Sequence, residues 1–436
     1  MLPRLLRSAL HRVRISGLVS ESIWGLVVEL TTLTGTLLSF IMLGRSLGAA
    51  GYGGYASLYA IVGPLVTLAA SGSVLAILQH VVRDGEPLAS TARSCLSLSL
   101  GLGVLLTLIG TVAGTAIVDS VELVAIVAIL ATEFLAVPLV QVAAGTVQAG
   151  TGFIPASRIR LVLLSARIVV IVGLFVAGAL TVTTLGVTMF SVATVLGLLS
   201  LRSVGRRYDF AFVPGSFQLR HLKTNVLYST GSSASSLNSD GDKLVLAASG
   251  YAVETGQYAA AYRIVSFGLI PVTSLMQVSH NRFLVHIEGL RGQHLRRSLK
   301  FGLLAGIYGV VFGVLLYVAA PLLSLLMGEE FEGSVVMVQW LAPIVCLRSL
   351  ATFGLNGLMG LDKMALRTAL VVANAMFAVV LYIVLIPGVG WEGAAIGTLI
   401  SESLLVVSTW TALVVCQRRS DARLPPQAQS AIDGRS

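Results

Sequence analysis

Long apolar segments alternate with short polar ones along most of the chain. A helix that crosses the hydrocarbon core of a bilayer needs about 20 mostly apolar residues. Windows of that length predict twelve spanning helices, at residues 22–43, 55–78, 94–118, 123–147, 161–180, 185–201, 225–247, 258–278, 301–327, 335–358, 366–386 and 393–416. The pattern therefore predicts an all-α polytopic membrane protein with about 12 transmembrane helices.

An internal repeat divides these helices into two sets. The segments GGYASLYAIV at 53–62 and GQYAAAYRIV at 256–265 agree at six of ten positions, with an offset of 203 residues. Each copy opens the second helix of a set of six, so the sets share one orientation in the membrane. We expect an N-lobe at 22–201, a cytoplasmic linker at 202–224 and a C-lobe at 225–416, which form a parallel repeat around a central cavity.

The charged residues indicate the class of protein and its orientation. Only 11% of the 436 residues are charged and 56% are hydrophobic, whereas soluble proteins carry about a quarter charged residues. This composition excludes a water-soluble enzyme. If the N-terminus is cytoplasmic, 24 of the 29 lysines and arginines fall in cytoplasmic segments; the others are Arg45, Arg167, Lys243, Arg263 and Arg348. This asymmetry predicts a basic cytoplasmic N-terminus at 1–21 and a cytoplasmic tail at 417–436, and the polar tail is expected to be disordered.

Ionisable side chains inside the predicted helices are functional candidates, because each costs about 2.5–3.5 kcal/mol to insert. They are Glu29, Glu133, Arg167, Asp240, Asp242, Lys243, Arg263, Arg348 and Glu402. The planar guanidinium of arginine binds phosphate oxygens in pairs. Arg263 and Arg348 are therefore candidates for contacting an anionic headgroup. For Arg348 the alternative is an ion pair with Glu133, Glu402 or Asp240. For Arg263 we favour a functional role, because its repeat equivalent is Ala60.

Five acidic residues have two open interpretations. They are Asp240, Asp242, Glu29, Glu133 and Glu402. Each is either a site for a coupling ion or a counter-ion for a buried cation. Arg167 is expected to reach the cytoplasmic headgroups with its long side chain.

No motif in the sequence predicts catalysis. The chain has no phosphate-binding loop of the form GxxxxGK[ST] and no HExxH zinc motif. All six histidines fall in predicted cytoplasmic segments, and the serine-rich segment at 228–239 has no histidine partner. We therefore predict no catalytic residues, no metal site and no cofactor, and a protein that is not an enzyme.

Several short motifs resemble a known family. They are LGRSLG at 43–48, YGGYA at 52–56, SDGDKL at 239–244, GQYAAAYRI at 256–264 and GWEGAAIGT at 390–398. They are similar to those of bacterial polysaccharide exporters, the Wzx-like flippases of lipid-linked oligosaccharides. This family lies within the multidrug/oligosaccharidyl-lipid/polysaccharide exporter superfamily. The similarity extends over residues 22–416.

The resemblance implies a function at the bacterial cytoplasmic (inner) membrane. The cargo would be a polyprenyl-pyrophosphate-linked oligosaccharide, moved by alternating access from the inner to the outer leaflet for surface polysaccharide biosynthesis. The cavity cations of the family correspond here to Lys243, Arg263 and Arg348. The expected partners are the lipid-linked substrate, membrane lipids, a glycan polymerase and H⁺ or Na⁺ as the coupling ion, and no nucleic acid. A multidrug or metabolite antiporter of the same fold is the alternative, followed by a membrane-embedded glycan polymerase or ligase.

Overall fold

The computed structural model describes residues 2–213, 218–276 and 293–421, and this part of the chain is helical without a single strand. The predicted disordered tail lies outside the described residues from 422 onward, as do Arg282, Arg291, His280 and His286. Up to residue 421 the chain continues the last helix. The all-α class predicted from the hydrophobic pattern is therefore confirmed.

The first half of the chain forms seven helices. They are α1 (Leu2–Val66), α2 (Gly72–Leu78), α3 (Leu88–Ile117), α4 (Leu123–Ala131), α5 (Val137–Thr151), α6 (Phe153–Val176) and α7 (Val182–Arg207). Three π-helical turns interrupt the helical rods: Thr67–Ser71 joins α1 to α2, Gln79–Arg83 follows α2, and Thr132–Ala136 joins α4 to α5. Such turns place an extra residue in the helix and are frequent at functional positions.

The described residues of the second half, 218–276 and 293–421, form nine helices. They are α8 (Leu219–Ala248), α9 (Ala252–Phe267), α10 (Ile270–Met276), α11 (Gln293–Ala319), α12 (Leu322–Met327), α13 (Gly333–Leu341), α14 (Ile344–Gly360), α15 (Met364–Val389) and α16 (Trp391–Asp421). A short 3-10 turn, Glu329–Phe331, precedes α13. α9 with α10, and the 329–341 segment with α14, are helix pairs bent by 41° and 44°.

The described helices account for the predicted number of spans. Eight are long and apolar enough to cross a membrane, and there are ten if each bent pair is one span. One of the eight, Val27–Arg83, is 57 residues long, about twice the length that a bilayer requires. If Val27–Arg83 is counted as two spans, the ten become eleven. Helix α8 is too polar to pass a hydropathy criterion, and adding it gives twelve.

The first two predicted spans are joined without a loop. The hydrophobic pattern predicts separate helices at 22–43 and 55–78, but the structure breaks the helix only at Gly48, where φ is 66° and ψ is −178°. Side chains disfavour this left-handed φ, whereas glycine adopts it readily. A single glycine therefore replaces the expected connection.

The described contacts divide the chain into two compact units. The first comprises the residues up to Gly48 together with Ile61–Ser233, and the second comprises Ala49–Ala60 together with the residues from Ala234 onward. All three boundaries fall inside helices, two within α1 and one within α8. In the first unit α5 packs against α2, α3, α6 and α7.

The sequence repeat produces a close helix contact in the second unit. A Cβ atom on Gly53 would lie 2.2 Å from the carbonyl oxygen of Ala252, and one on Gly256 would lie 1.9 Å from that of Ala49. Ala49 and Ala252, like the two glycines, are 203 residues apart. The two contacts are thus equivalent under the repeat, and both positions need glycine because no side chain fits between the helices.

Candidate functional site: a charged cavity in the second unit

The polar helix α8 contains a buried lysine between two aspartates. The Nζ atom of Lys243 lies 3.0 Å from Asp240 Oδ1 and 3.4 Å from Asp242 Oδ1. Asp242 is completely buried, whereas the Asp240 side chain is about one-third exposed. A buried charge is stable only when it is paired and hydrogen-bonded. The predicted intramembrane charges of α8 therefore form one local cluster.

Two tyrosines and a threonine complete the shell around Asp242. Tyr258 donates a hydrogen bond to Asp242 Oδ2 at 2.9 Å, and Thr398 donates to the same oxygen at 3.3 Å. The hydroxyl of Tyr382 lies 3.1 Å from Thr398 Oγ1. All four side chains are fully buried. These hydroxyl groups stabilise the carboxylate and connect α8 with α9, α15 and α16.

Tyr262 on α9 is flanked by two cations. Lys243 Nζ lies 3.7 Å from the centre of its ring, and the guanidinium carbon of Arg348 lies 5.4 Å from the same point. The face of an aromatic ring attracts cations, most strongly where water is excluded. The Tyr262 ring therefore brings together two predicted site residues, Lys243 from α8 and Arg348 from α14.

Arg348 and Glu402 form a hydrogen-bonded ion pair. Arg348 Nε donates to Glu402 Oε1 at 2.7 Å, so the structure selects Glu402 from the three partners considered for this arginine. Asn238 Nδ2 also donates to Glu402 Oε1, at 2.9 Å, and Asn374 Nδ2 donates to Asn238 Oδ1 at 3.2 Å. A chain of hydrogen bonds thus links α14, α16, α8 and α15.

These groups line a cavity of about 230 Å³. Ser235, Asn238, Thr352 and Asn374 provide polar walls, beside Arg348 and Glu402. Three lining atoms are buried without a hydrogen-bond partner among the described residues: Arg348 Nη2, Glu402 Oε2 and Asn374 Oδ1. A buried unpaired polar atom is costly, and in a polar cavity it is a ready contact for a ligand. The cavity offers one donor of an arginine fork and two acceptors.

The other predicted site residues lie elsewhere. Arg263 follows Tyr262 on α9, is exposed, and lies near the hydroxyl of Tyr52 rather than in the wall of the cavity. Glu29 is exposed on α1. Glu133, on the π turn 132–136, pairs with Arg167 on α6. Arg167 therefore has a buried carboxylate partner that the sequence analysis did not assign to it, and its reach to the cytoplasmic headgroups stays a prediction.

The sequence of this chain matches a described family over much of its length. The profile of the family described as "Polysaccharide biosynthesis protein" matches residues 18–279, more than half of the 436 residues. The chain belongs to this family. The resemblance drawn from the motifs at 43–48, 52–56 and 256–264 is therefore confirmed. None of the curated proteins compared with this polysaccharide biosynthesis protein matches its sequence.

Solved transporter structures share the fold of this family member. An inward-facing MATE-family multidrug resistance transporter of the MOP superfamily has a TM-score of 0.66 and 15% identity, covering 90% of this chain and 96% of that one. An outward-facing MATE-family transporter gives 0.61 and 15%, with 91% and 95% coverage. A MOP-superfamily transporter from Pyrococcus furiosus, described as having a binding pocket of reversed polarity that suggests a different function, gives 0.61 and 15%, with 92% and 95% coverage. At these identities the likeness establishes the fold.

Family and fold together indicate a multi-pass membrane transporter and confirm the predicted architecture of about twelve helices. The cavity is also lined by Asn238 and Asn374, which the sequence analysis does not name. Asn238 belongs to the polar stretch of α8, and that polarity is a usable signal. Tyr258, Tyr262 and Tyr382 contact the charged cluster instead of lining the cavity. Tyr258 and Tyr262 recur as Tyr55 and Tyr59 in the repeat, whereas only three-dimensional contacts distinguish Tyr382.

Proposed function

We propose that the protein moves a polyprenyl-pyrophosphate-linked oligosaccharide from the inner to the outer leaflet of the bacterial cytoplasmic membrane. It would act by alternating access, as a transporter and without catalysis, with both termini in the cytoplasm. The observation that carries the proposal is the buried, unpaired Nη2 of Arg348 in a polar cavity of a chain that belongs to the polysaccharide biosynthesis family.

The chemistry of the cavity suits such a headgroup. A pyrophosphate needs fixed cations, and the arginine fork is a good partner for its oxygens. Sugar hydroxyls must keep hydrogen bonds when they leave water, and the serines and asparagines of the cavity provide donors and acceptors. Lys243 and Arg348 contact the ring of Tyr262. Arg263 is the next residue of α9 and lies near the hydroxyl of Tyr52.

The driving force follows from the charge of the cargo. An inside-negative potential is worth about 2.3 kcal/mol per elementary charge per 100 mV and favours outward movement of a net anion. Coupling to H⁺ or Na⁺ is the other source, and Asp240, Asp242, Glu29 and Glu402 are the proposed ion sites, whereas Glu133 acts as the counter-ion of Arg167. Membrane lipids and a glycan polymerase complete the proposed partners.

A multidrug or metabolite antiporter is the second candidate, because the neighbouring structures include MATE-family multidrug transporters. A cationic drug requires an acidic group that is not already neutralised. Here Asp242 lies beside Lys243, and Glu402 lies beside Arg348. These pairings favour an anionic cargo.

Replacement of Arg263 tests its proposed role as a cargo-binding cation, and deletion of the gene tests the flippase proposal itself. In a strain whose surface polysaccharide depends on this protein, we expect Arg263→Ala to lower the polymer roughly tenfold, because a charge-assisted hydrogen bond contributes about 1.5–3 kcal/mol. Arg263→Lys keeps the charge and should give an intermediate amount. The measurement is surface polymer divided by the amount of protein in the membrane.

Arg202→Ala is the matched control, because Arg202 is also exposed but belongs to the arginine-rich C-terminal end of α7. It should give normal polymer. Normal polymer from Arg263→Ala would contradict the role of Arg263. A deletion strain with altered drug susceptibility and unchanged polysaccharide would favour the antiporter.

A further inference from the structure

Two histidines and a glutamate of the first unit meet at one point, although they are far apart in sequence. His80 lies on the π turn 79–83, Glu86 lies in the short connection that follows it, and His221 lies in the first turn of α8. Their ligand atoms all lie within 4.8 Å of one another. The histidines are buried, and the Glu86 side chain is 11% exposed.

The distances suit a metal ion. His80 Nδ1 lies 3.1 Å from Glu86 Oε1, and His221 Nε2 lies 3.2 Å from Glu86 Oε2. In a tetrahedral site with bonds of about 2.0–2.1 Å, neighbouring ligand atoms are about 3.3 Å apart. His80 Nδ1 has no hydrogen bond of acceptable geometry. The three side chains are thus spaced like neighbouring ligands of one ion.

The surrounding hydroxyl groups orient both imidazole rings. His80 Nε2 lies 3.1 Å from Thr224 Oγ1, and His221 Nδ1 lies 2.8 Å from Ser94 Oγ. Each ring therefore contacts a hydroxyl with one nitrogen and turns the other toward Glu86. This arrangement is typical of metal-binding histidines, whose second nitrogen is held by an outer partner.

The charges near the site are compatible with a divalent cation. Glu86 Oε2 lies 3.2 Å from both His221 Nε2 and Thr91 Oγ1. Asp84 Oδ2 lies 2.9 Å from His80 Nδ1 and adds a second carboxylate beside this histidine. Arg220 contacts Glu86 Oε1 at 2.8 Å, but its side chain is 59% exposed and is free to turn toward water.

We propose that His80, Glu86 and His221 bind a divalent transition-metal ion of the Zn²⁺ class. Two imidazoles and one carboxylate are a known ligand set for such ions. The ion fastens the first turn of α8 to the segment after α2. Metal binding therefore fixes the first turn of the same helix that contributes Asn238 to the wall of the charged cavity.

The test uses full-length protein purified in detergent with an affinity tag that contains no histidine. After treatment with a chelator, Zn²⁺ is titrated against a chromophoric competitor, and Co²⁺ is titrated in parallel for its visible absorption. We expect about one ion per chain. We also expect the ion to raise the midpoint of thermal unfolding, because it binds the folded state alone.

Variants of the cluster separate metal binding from simple structural support. The double variant His80→Ala/His221→Ala should lose the high-affinity site, and Glu86→Gln, which keeps the size and polarity of the side chain, should weaken it at least roughly tenfold. Ser94→Ala removes the hydroxyl beside His221 and should weaken metal binding by up to roughly 100-fold. His294→Ala is the control, because His294 is a buried histidine of the second unit.

Two results would overturn the proposal. One is a wild-type protein that binds no ion and gains no thermal stability from Zn²⁺ or Co²⁺. The other is equal affinity in the wild type and in the folded Glu86→Gln and double-histidine variants, which would place the ion elsewhere. If the variants only lower the unfolding midpoint in the absence of metal, the cluster is a network of ion pairs.

Discussion

Each unit of the protein contains an arginine–glutamate pair within its apolar helices, and the two pairs differ in their surroundings. Arg167 and Glu133 join α6 to the π turn 132–136 in the first unit, and the Arg167 side chain is 32% exposed. Arg348 and Glu402 join α14 to α16 in the second unit, and Glu402 is only 1% exposed. The sequence presents the two pairs alike, as charges in apolar segments.

The second pair differs from the first because two of its polar atoms are still able to form hydrogen bonds. Arg348 Nη2 and Glu402 Oε2 are buried without a partner among the described residues, in the wall of a polar cavity. Glu133 is buried beside apolar residues of α4 and α5, and it does not line the cavity that contains Arg348 and Glu402. We infer that the first pair connects helices and that the second contacts cargo. Burial of a charge therefore does not reveal function, whereas an unpaired atom facing a cavity does.

The largest difference is expected when each arginine is removed. Arg348→Ala leaves Glu402 buried and unpaired, which costs about 3–5 kcal/mol of folding free energy, and also removes the proposed cargo contact. We expect transport to fall at least about tenfold. Arg167→Ala should lower stability less, because this arginine is partly exposed, and should lower transport only in proportion to the folded protein.

Transport is measured as surface polysaccharide, and stability as the thermal unfolding midpoint of the purified protein. If Arg167→Ala reduces transport per folded molecule as much as Arg348→Ala, the distinction between the two pairs is wrong.

Replacing both members of each pair sharpens the comparison. A buried ion pair can be exchanged for apolar residues of similar size with little loss of stability. We expect Arg348→Met/Glu402→Leu to unfold near the wild-type temperature but to remain inactive, because the donor facing the cavity is gone. Arg167→Met/Glu133→Leu should recover both stability and transport.

Both double variants replace arginine by methionine and glutamate by leucine. A difference in transport between two equally stable variants therefore reports function and not stability. Transport by the Arg348→Met/Glu402→Leu variant at the wild-type rate would show that neither side chain contacts the cargo.

The sequence anticipates the elements of this comparison but not their partners. Hydropathy identifies the charged residues because they interrupt apolar segments, and the offset of 203 residues aligns α1 with α9. Partner choice depends on contacts between residues such as Arg348 and Glu402, which are 54 positions apart, and no local pattern encodes it. The same is true of His221, which meets Glu86 only after α8 packs in the first unit. Gly48 is missed because one left-handed residue produces no hydropathy signal.

The smallest expected effects concern Tyr262, whose ring separates Lys243 from Arg348 in the second unit. Tyr262→Phe keeps the ring face and removes a hydroxyl that has no hydrogen-bond partner among the described residues. Its unfolding midpoint should therefore match or slightly exceed that of the wild type.

Tyr262→Leu keeps an apolar side chain but loses the ring face, and should cost about 1–2 kcal/mol for two partly desolvated cation–π contacts. Transport should fall in Tyr262→Leu, because Arg348 loses one of the groups that position it beside the cavity. It should stay near normal in Tyr262→Phe, which keeps the ring. Tyr59→Leu, at the equivalent position of the first repeat copy, is the matched control, since Ala60 rather than an arginine follows it. Equal transport by Tyr262→Leu and Tyr262→Phe would mean that Glu402 and the asparagines alone position Arg348.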